Sequence, residues 1–469
     1  MISLHNNRII RNHCKNGTGK LSSPMNVSTN KLLIARILFV SYIIIQTIFV
    51  IYYIISYIIT DGGVASFYGY DYSDWLINYE GGFVRRGLIG EILLWLYNHT
   101  HIDIKTAIIL LSYTSTMALA FVTYYQFYKH RISWAILPCV FMVGGMFMSS
   151  TLWYRRDALM LLMIFFIFYL YRQIHTSDNK RLYIGAFHTM SIITLLTHEA
   201  SFFCFVPFVA LHYYTSLPSH TTHKWARCIL FGLPAIITMA LVCLCKGNET
   251  TAQTIWNSWM PYITDKYEPI DWMGQGIQAL TWSASKTFAT HFHLNHLSYA
   301  VFDISGLPSF NLIPSAILWI IIYITIYYIC INSNKIKIIG NEYDNHNNPI
   351  SQYLPQALII QFIALLPLFT VLSCDMRRII IYWVMTSFFI AFMLQDTAKP
   401  FSLPRFTPWV NRISNKLTHG AITQKTAFWI ICVILIGVPF YGFKFSDFLF
   451  SSVLFNTYYV IRHIIPSLL

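Results

Sequence analysis

Apolar stretches long enough to cross a bilayer recur along the whole chain, and they constrain the fold more than any motif does. Residues 37–59 make a run of 23 residues without a charge, and about 20 apolar residues suffice to span the hydrocarbon core. In lipid the backbone must satisfy its own hydrogen bonds, which leaves helices or closed barrels. Continuous apolar runs of this length are helices, because barrel strands alternate. Only 11% of the residues are charged, against about a quarter in soluble domains. A water-soluble enzyme and a disordered chain are both excluded.

The expected fold is therefore all-α: a polytopic transmembrane helical protein with outer-face interfacial helices. Its spans, about eleven by length and apolarity, lie near 37–59, 106–128, 132–152, 158–171, 182–197, 200–216, 228–245, 312–331, 356–373, 379–395 and 426–443. Three parts follow: a basic N-terminal segment at 1–36, a transmembrane domain at 37–443 with long outer loops at 60–105 and 246–311, and a C-terminal amphipathic segment at 444–469. The first run is longer than a signal-peptide core and lacks a small-residue cleavage site behind it, so it is expected to remain.

Charge orients the chain. With the N-terminus cytoplasmic, 20 of the 32 Lys/Arg fall on the inner side and 15 of the 19 Asp/Glu on the outer, as the positive-inside rule requires. This holds only if 182–216 is two helices broken at His198-Glu199. The basic, Pro-broken loop between Lys399 and Lys425 is then cytoplasmic and lies on anionic lipid.

Six of the outer cations sit in three adjacent pairs: Arg85-Arg86 in "NYEGGFVRRGLIGE", Arg155-Arg156 in "WYRRDALM" and Arg377-Arg378 in "SCDMRRII". With them come His198-Glu199, Asp157 and Asp375. Charge beside an apolar segment is expensive unless it is paired or functional. Arginine suits phosphate, since its planar fork makes bidentate contacts and keeps its charge. The cluster thus points to a lipid-linked phosphate or pyrophosphate. For any single pair a snorkelling anchor or a local salt bridge, such as Arg156 with Asp157, is the plainer reading.

The first outer loop holds Asp61, Asp71, Asp74 and Glu80. After Gly81-Gly82, residues 83–97 are expected to form an interfacial helix with Arg85 and Arg86 on its first turn, where free N–H groups also favour an anion. Glu199 is a candidate base, its pKa expected to rise by desolvation, and His198 is expected to do the same or to orient it. In the long outer loop Trp256, Trp259, Trp272 and Trp282 read as interface anchors or sugar-stacking surfaces, and His291, His293 and His296 as a weak metal pattern. No P-loop is present, so an ATP-driven machine is not expected.

In size, span number, outer-face arginines and an Ile-, Asn-, Lys- and Tyr-rich composition, the chain loosely resembles, over its whole length, bacterial O-antigen or capsule repeat-unit polymerases of the Wzy type. It also resembles the GT-C class of membrane glycosyltransferases, which carry a catalytic acid and an interfacial helix in the first outer loop and a second acidic motif between spans three and four. Asp61 or Asp74 matches the first feature and Asp157 the second. The resemblance implies polymerisation of undecaprenyl-pyrophosphate-linked oligosaccharide repeat units at the periplasmic face of the inner membrane. Arg85, Arg86, Arg155, Arg156, Arg377 and Arg378 would hold the lipid phosphate. Glu199 would act as base with His198, or Asp74 in the GT-C variant, with Asp157 as the second acid. No cofactor is implied, except a divalent metal in the GT-C variant. The implied partners are the undecaprenyl-linked oligosaccharide, membrane lipids and a chain-length regulator, with no nucleic acid. The alternatives are transfer of a single sugar from undecaprenyl-phosphate-sugar and a flippase for lipid-linked oligosaccharide.

Overall fold

The computed structural model describes residues 69–133, 154–262, 273–283, 312–335, 350–373, 375–395 and 401–418, with a few single positions and short runs elsewhere. Among them the chain is helical, with no β-strand. The helices are α1 (Tyr70–Ser73), α2 (Gly87–Thr100), α3 (Ile104–Lys129), α4 (Asp157–Thr176), α5 (Lys180–Thr197), α6 (Ser201–Ser216), α7 (Lys224–Leu244), α8 (Glu249–Trp259), α9 (Gln275–Gln278), α10 (Leu312–Ile331), α11 (Ile350–Ala364), α12 (Met376–Gln395) and α13 (Phe406–Thr418). Four of these, α3, α4, α7 and α12, are long and apolar enough to cross a membrane.

At the hub stands α12, buried at every residue from Met376 to Leu394 and packed against α4, α6 and α11. A helix apolar all round belongs in the interior, and here the sequence "IIIYWVMTSFFIAFML" supplies apolar volume on every side. Thr386 and Ser387, the polar exceptions, donate to carbonyls one turn back, Thr386 to Tyr382 and Ser387 to Trp383. Hydroxyls bonded this way are satisfied within lipid-like surroundings. α3 starts on Asp103, whose carboxylate accepts the Thr106 N–H at 2.8 Å, a standard N-cap.

Two apolar cores result. The larger fills the bundle around α12. The smaller lies at one end, where α1, α2, α8 and α9 close over the starts of α3 and α4. Trp75, Trp256 and Trp259 are buried in it. The Trp75 indole donates to the Tyr154 carbonyl at 2.7 Å and that of Trp259 to the Leu76 carbonyl at 2.6 Å. Trp256 and Trp259, expected at the interface, are thus core residues, because the segments at 69–103 and 245–283 fold onto each other.

The break at 198–199 is present, with α5 and α6 as separate helices. Other expectations shift. The helix expected at 83–97 runs from Gly87 to Thr100, so Arg85 and Arg86 precede it. Within the span expected at 132–152, residues 132–133, 136–137, 139 and 141–142 are not α-helical. The span expected at 356–373 ends its α-helix at Ala364 and continues in a π turn, Leu368–Leu372. Eleven spans are therefore not reached among the described residues. The span at 426–443, Asp61, Trp272 and the histidines at 291–296 lie outside them, as do all of 37–59 and 444–469 except isolated positions.

Candidate functional site

The site lies where the two cores meet, at the starts of α2, α4, α6 and α12. Arg86 is the N-cap of α2 and Arg156 that of α4. His198 and Glu199 lie between α5 and α6, and Asp375 immediately precedes α12. Helix N-termini favour anions, so arginines at two N-caps oppose the helix dipole. Arg86 also sits in the left-handed region at φ 65°, which costs a residue with a Cβ about 1–3 kcal/mol. Local folding preference explains neither; the carboxylates around them do.

Arg156 is the deepest member, its side chain fully enclosed. Its Nε donates to Asp74 Oδ2 at 2.9 Å and its Nη2 lies 2.6 Å from Asp74 Oδ1. Its Nη1 donates to the Arg86 and Thr197 carbonyls at 2.9 and 3.3 Å. It therefore pairs with an acid 82 positions away rather than with its neighbour Asp157. Asp74 is held from behind as well. Gly276 of α9 passes so close to the Asp74 backbone that no Cβ fits there, and its N–H donates to Ser73 Oγ at 2.7 Å.

Asp157 pairs across the bundle with Arg378, whose Nε donates to its Oδ1 at 2.9 Å, and accepts the Tyr382 hydroxyl. Arg378 Nη1 donates to Asp375 Oδ2 at 3.0 Å, and Arg155 Nη1 donates to the same oxygen at 2.8 Å. Arg155 also stands 5.3 Å from the centre of the Tyr70 ring. Arg377 is buried in the first turn of α12. The three arginine pairs do converge on one end of the bundle.

The open corner is formed by Arg85, Arg86 and Glu199, whose side chains retain 24%, 15% and 17% exposure. Arg86 grips Glu199 through Nε at 2.7 Å from Oε2 and Nη2 at 2.6 Å from Oε1. It also reaches Asp74 and the Tyr70 hydroxyl, both at 3.2 Å. Arg85 is the least committed: Nη1 lies 3.7 Å from Glu199, Nη2 donates to the Ala279 carbonyl, and Nε has no hydrogen-bond partner among the described residues.

These contacts decide protonation. Burial alone would push the Asp74 carboxyl up, but Arg156 and Arg86 together hold it well below the usual carboxylate range. Burial likewise pushes Glu199 up, and Arg86, with smaller help from Arg85, reverses it. The desolvation-raised Glu199 expected from the sequence is therefore not found: an ion pair outweighs burial. Asp375 is lowered in the same way, by Arg155 and Arg378 against burial. Burial, and after it the Arg86 charge, holds His198 well below 6.5. Geometry agrees. His198 faces the Ala200 N–H through Nδ1 at 3.2 Å and Arg378 Nη2 through Nε2 at 3.3 Å. Both hydrogen-bond neighbours are donors, and only the neutral imidazole has an acceptor nitrogen, for one of them; Glu199 Oε2, 3.8 Å from Nδ1, opposes this more weakly.

Among the described residues, six guanidinium groups, four carboxylates and a neutral histidine are brought together at this end. Among the described residues no group of His, Cys, Asp or Glu is arranged to hold a metal ion, and Asp74 and Asp157, two of the acids a GT-C-type site would use, are bonded to arginines. Tyr70 and Tyr382 were not anticipated. Tyr382 was within reach of a spacing argument, since it follows Arg378 by one helical turn on the same face. No protein-family model, no curated protein and no solved structure matches the chain.

Proposed function

We infer that the protein is a membrane-embedded glycosyltransferase that polymerises undecaprenyl-pyrophosphate-linked oligosaccharide repeat units into O-antigen or capsular polysaccharide at the periplasmic face of a bacterial inner membrane. One observation carries the reading: a buried arginine network with one open corner, formed by Arg85, Arg86 and Glu199, at one end of a helical bundle. A pyrophosphate diester carries two negative charges, and the open corner offers two adjacent guanidinium groups, Arg85 and Arg86. A phosphate diester, the group of the single-sugar donor, carries one. Asp74, the base required in the GT-C variant, is clamped by two arginines with its side chain 4% exposed, which disfavours that alternative. A flippase needs its cations in a central cavity, and these lie at one end.

In this reading the donor pyrophosphate docks on Arg85 and Arg86 and takes the place of the Glu199 carboxylate on the Arg86 fork. Glu199, freed from its ion pair and still poorly hydrated, regains basicity. The acceptor hydroxyl attacks the anomeric carbon of the donor and passes its proton to Glu199. The bond from that carbon to pyrophosphate breaks, and the lipid pyrophosphate leaves with one further negative charge. Arg85 and Arg86 meet that charge directly, while Arg156 and Asp74 hold Arg86 in position. Such preorganised contacts are worth about 10²–10³ in rate each.

The test is genetic and chemical. The gene is deleted, the cell-surface glycolipid is run on a gel, and the strain is complemented with wild type, Arg86→Ala and Arg378→Ala at matched membrane abundance. The polymerase reading expects one repeat unit where a ladder had been, restored by wild type alone. An intact ladder in the deletion strain sinks it, and loss of a single sugar mass moves the single-sugar transferase ahead.

A further inference from the structure

At the opposite end of the bundle, helix α13 carries a face that the transfer chemistry does not use. Phe401 leads into it, packed against Phe208 and His212 of α6. Since α6 begins at the ionic network, His212 lies about 17 Å further along at 1.5 Å per residue. α13 is docked by one side only. Val410 and Ser414, one turn apart, are buried. Ser414 Oγ lies 3.0 Å from the Tyr327 hydroxyl of α10, and Thr407 donates to Gln356 of α11 at 3.0 Å.

The other side presents Arg405, Trp409, Arg412 and Lys416, all exposed, with Trp409 at 51%. Trp409, Arg412 and Lys416, three and four residues apart, lie in one stripe along the helix, and Arg405 stands immediately before its first residue. Arg405, whose carbonyl accepts the Trp409 N–H, adopts φ 68°, so its backbone is strained where a glycine would be relaxed. No acidic residue occurs between Thr397 and Ser446. At 13 residues α13 is too short to span a bilayer.

We propose that this stripe is a binding surface for anionic phospholipid headgroups, which pair with Arg405, Arg412 and Lys416 while the Trp409 indole enters the interfacial layer between them. Charge complementarity selects the occupant. Three cations with no acid in the surrounding sequence repel a basic partner and gain little from a neutral headgroup. Indole combines an apolar body with one donor and favours the headgroup layer. The exposed Lys180, Arg181 and Arg227, at the start of α5 and in the first turn of α7, outnumber the one exposed acid beside them, Asp178, and extend the basic rim at the same end. Each cation near an anionic bilayer enriches acidic lipid by up to about fivefold.

The full-length protein, reconstituted in nanodiscs of zwitterionic lipid, receives one fifth brominated phosphatidylglycerol or one fifth brominated phosphatidylcholine. The Trp409 signal is isolated as the difference between wild type and Trp409→Phe. Quenching about threefold stronger by the anionic lipid is expected, with the preference lost in Arg405→Gln/Arg412→Gln/Lys416→Gln, while Arg412→Gln alone retains part of it. Equal quenching by the two lipids overturns the proposal. Absence of quenching by either also overturns it, since the face is then covered by protein. Near-UV circular dichroism of the triple variant, expected to match wild type, separates lost binding from lost fold.

Discussion

Arg156 and Arg412 are the same residue type at opposite ends of one helical bundle. Arg156 is enclosed completely and bonded to Asp74 and two carbonyls. Arg412 stands on an exposed helical face with no acidic residue nearby in sequence. The difference shows two uses of the guanidinium group. Buried, it is a structural and electrostatic part that requires a carboxylate, and its charge acts at short range in a low dielectric. Exposed, it is a screened surface charge that acts on whatever the surface meets. The end where arginines are paired is the end where charge can be fixed in place for chemistry.

The largest effect is expected from breaking the inner pairing. Arg156→Ala strips Asp74 of its closest partner and leaves a buried carboxylate with Arg86 alone, so a loss of about 3–5 kcal/mol of stability is expected. Thermal unfolding of the detergent-purified protein, or its abundance in membranes, reads it. If Arg156→Ala unfolds at the wild-type temperature, the inner pair does not hold the two cores together and the comparison fails at its stronger side.

Glu199→Gln sharpens the contrast within the paired end. Arg86 is shared by Asp74, which is locked by Arg156 and Gly276, and Glu199, which stands at the open corner. If Glu199 holds the place of the donor phosphate, removing its charge tightens binding of inorganic pyrophosphate by about tenfold, one charge contact's worth, while turnover falls. Titration calorimetry on the reconstituted protein measures the first and ladder formation the second. Unchanged or weaker binding in Glu199→Gln refutes the placeholder role; absence of pyrophosphate binding in wild type refutes the phosphate site itself.

Much of this was legible in the sequence, but unevenly. The arginine pairs, the break at His198-Glu199 and their common end of the bundle followed from hydropathy and charge, which are properties of contiguous residues. Partner choice did not. Arg156 bonds Asp74 across 82 residues while Asp157 turns to Arg378, 221 residues on; such pairings are set by helix packing, which local spacing does not encode. Trp256 and Trp259 misled because an aromatic between two spans looks the same in sequence whether it faces lipid or a second core. The protonation of Glu199 depended on whether burial or Arg86 won, a balance that only distances settle.

Protonation gives the next expected effect. His198 is lowered in the fold, so between its folded pKa and 6.5 the unfolded chain binds more protons than the folded one. Stability must then fall as pH drops below 6.5, by up to about 1.4 kcal/mol per pH unit. Asp74, Glu199 and Asp375 are also lowered; their stabilising pairs are intact above the ordinary carboxylate range and are lost only below about pH 4. Two stages are expected in melting temperature against pH. His198→Gln should flatten the first, between pH 6.5 and 5, and leave the second; a wild-type profile flat down to pH 4 contradicts the buried neutral histidine.

The smallest effect belongs to the exposed end, and its smallness carries information. Arg412→Gln and Arg181→Gln remove charges that water and salt already screen, and neither side chain fills part of a core. In detergent each should shift unfolding by less than about 0.5 kcal/mol. In nanodiscs rich in acidic lipid Arg412→Gln should shift it more, because a ligand that binds only the folded surface stabilises that fold by mass action. A shift in detergent as large as that of Arg156→Ala would place Arg412 in a structural pair and erase the distinction between the two ends; a small shift, growing only with acidic lipid, ties the exposed cations to the membrane rather than to the fold.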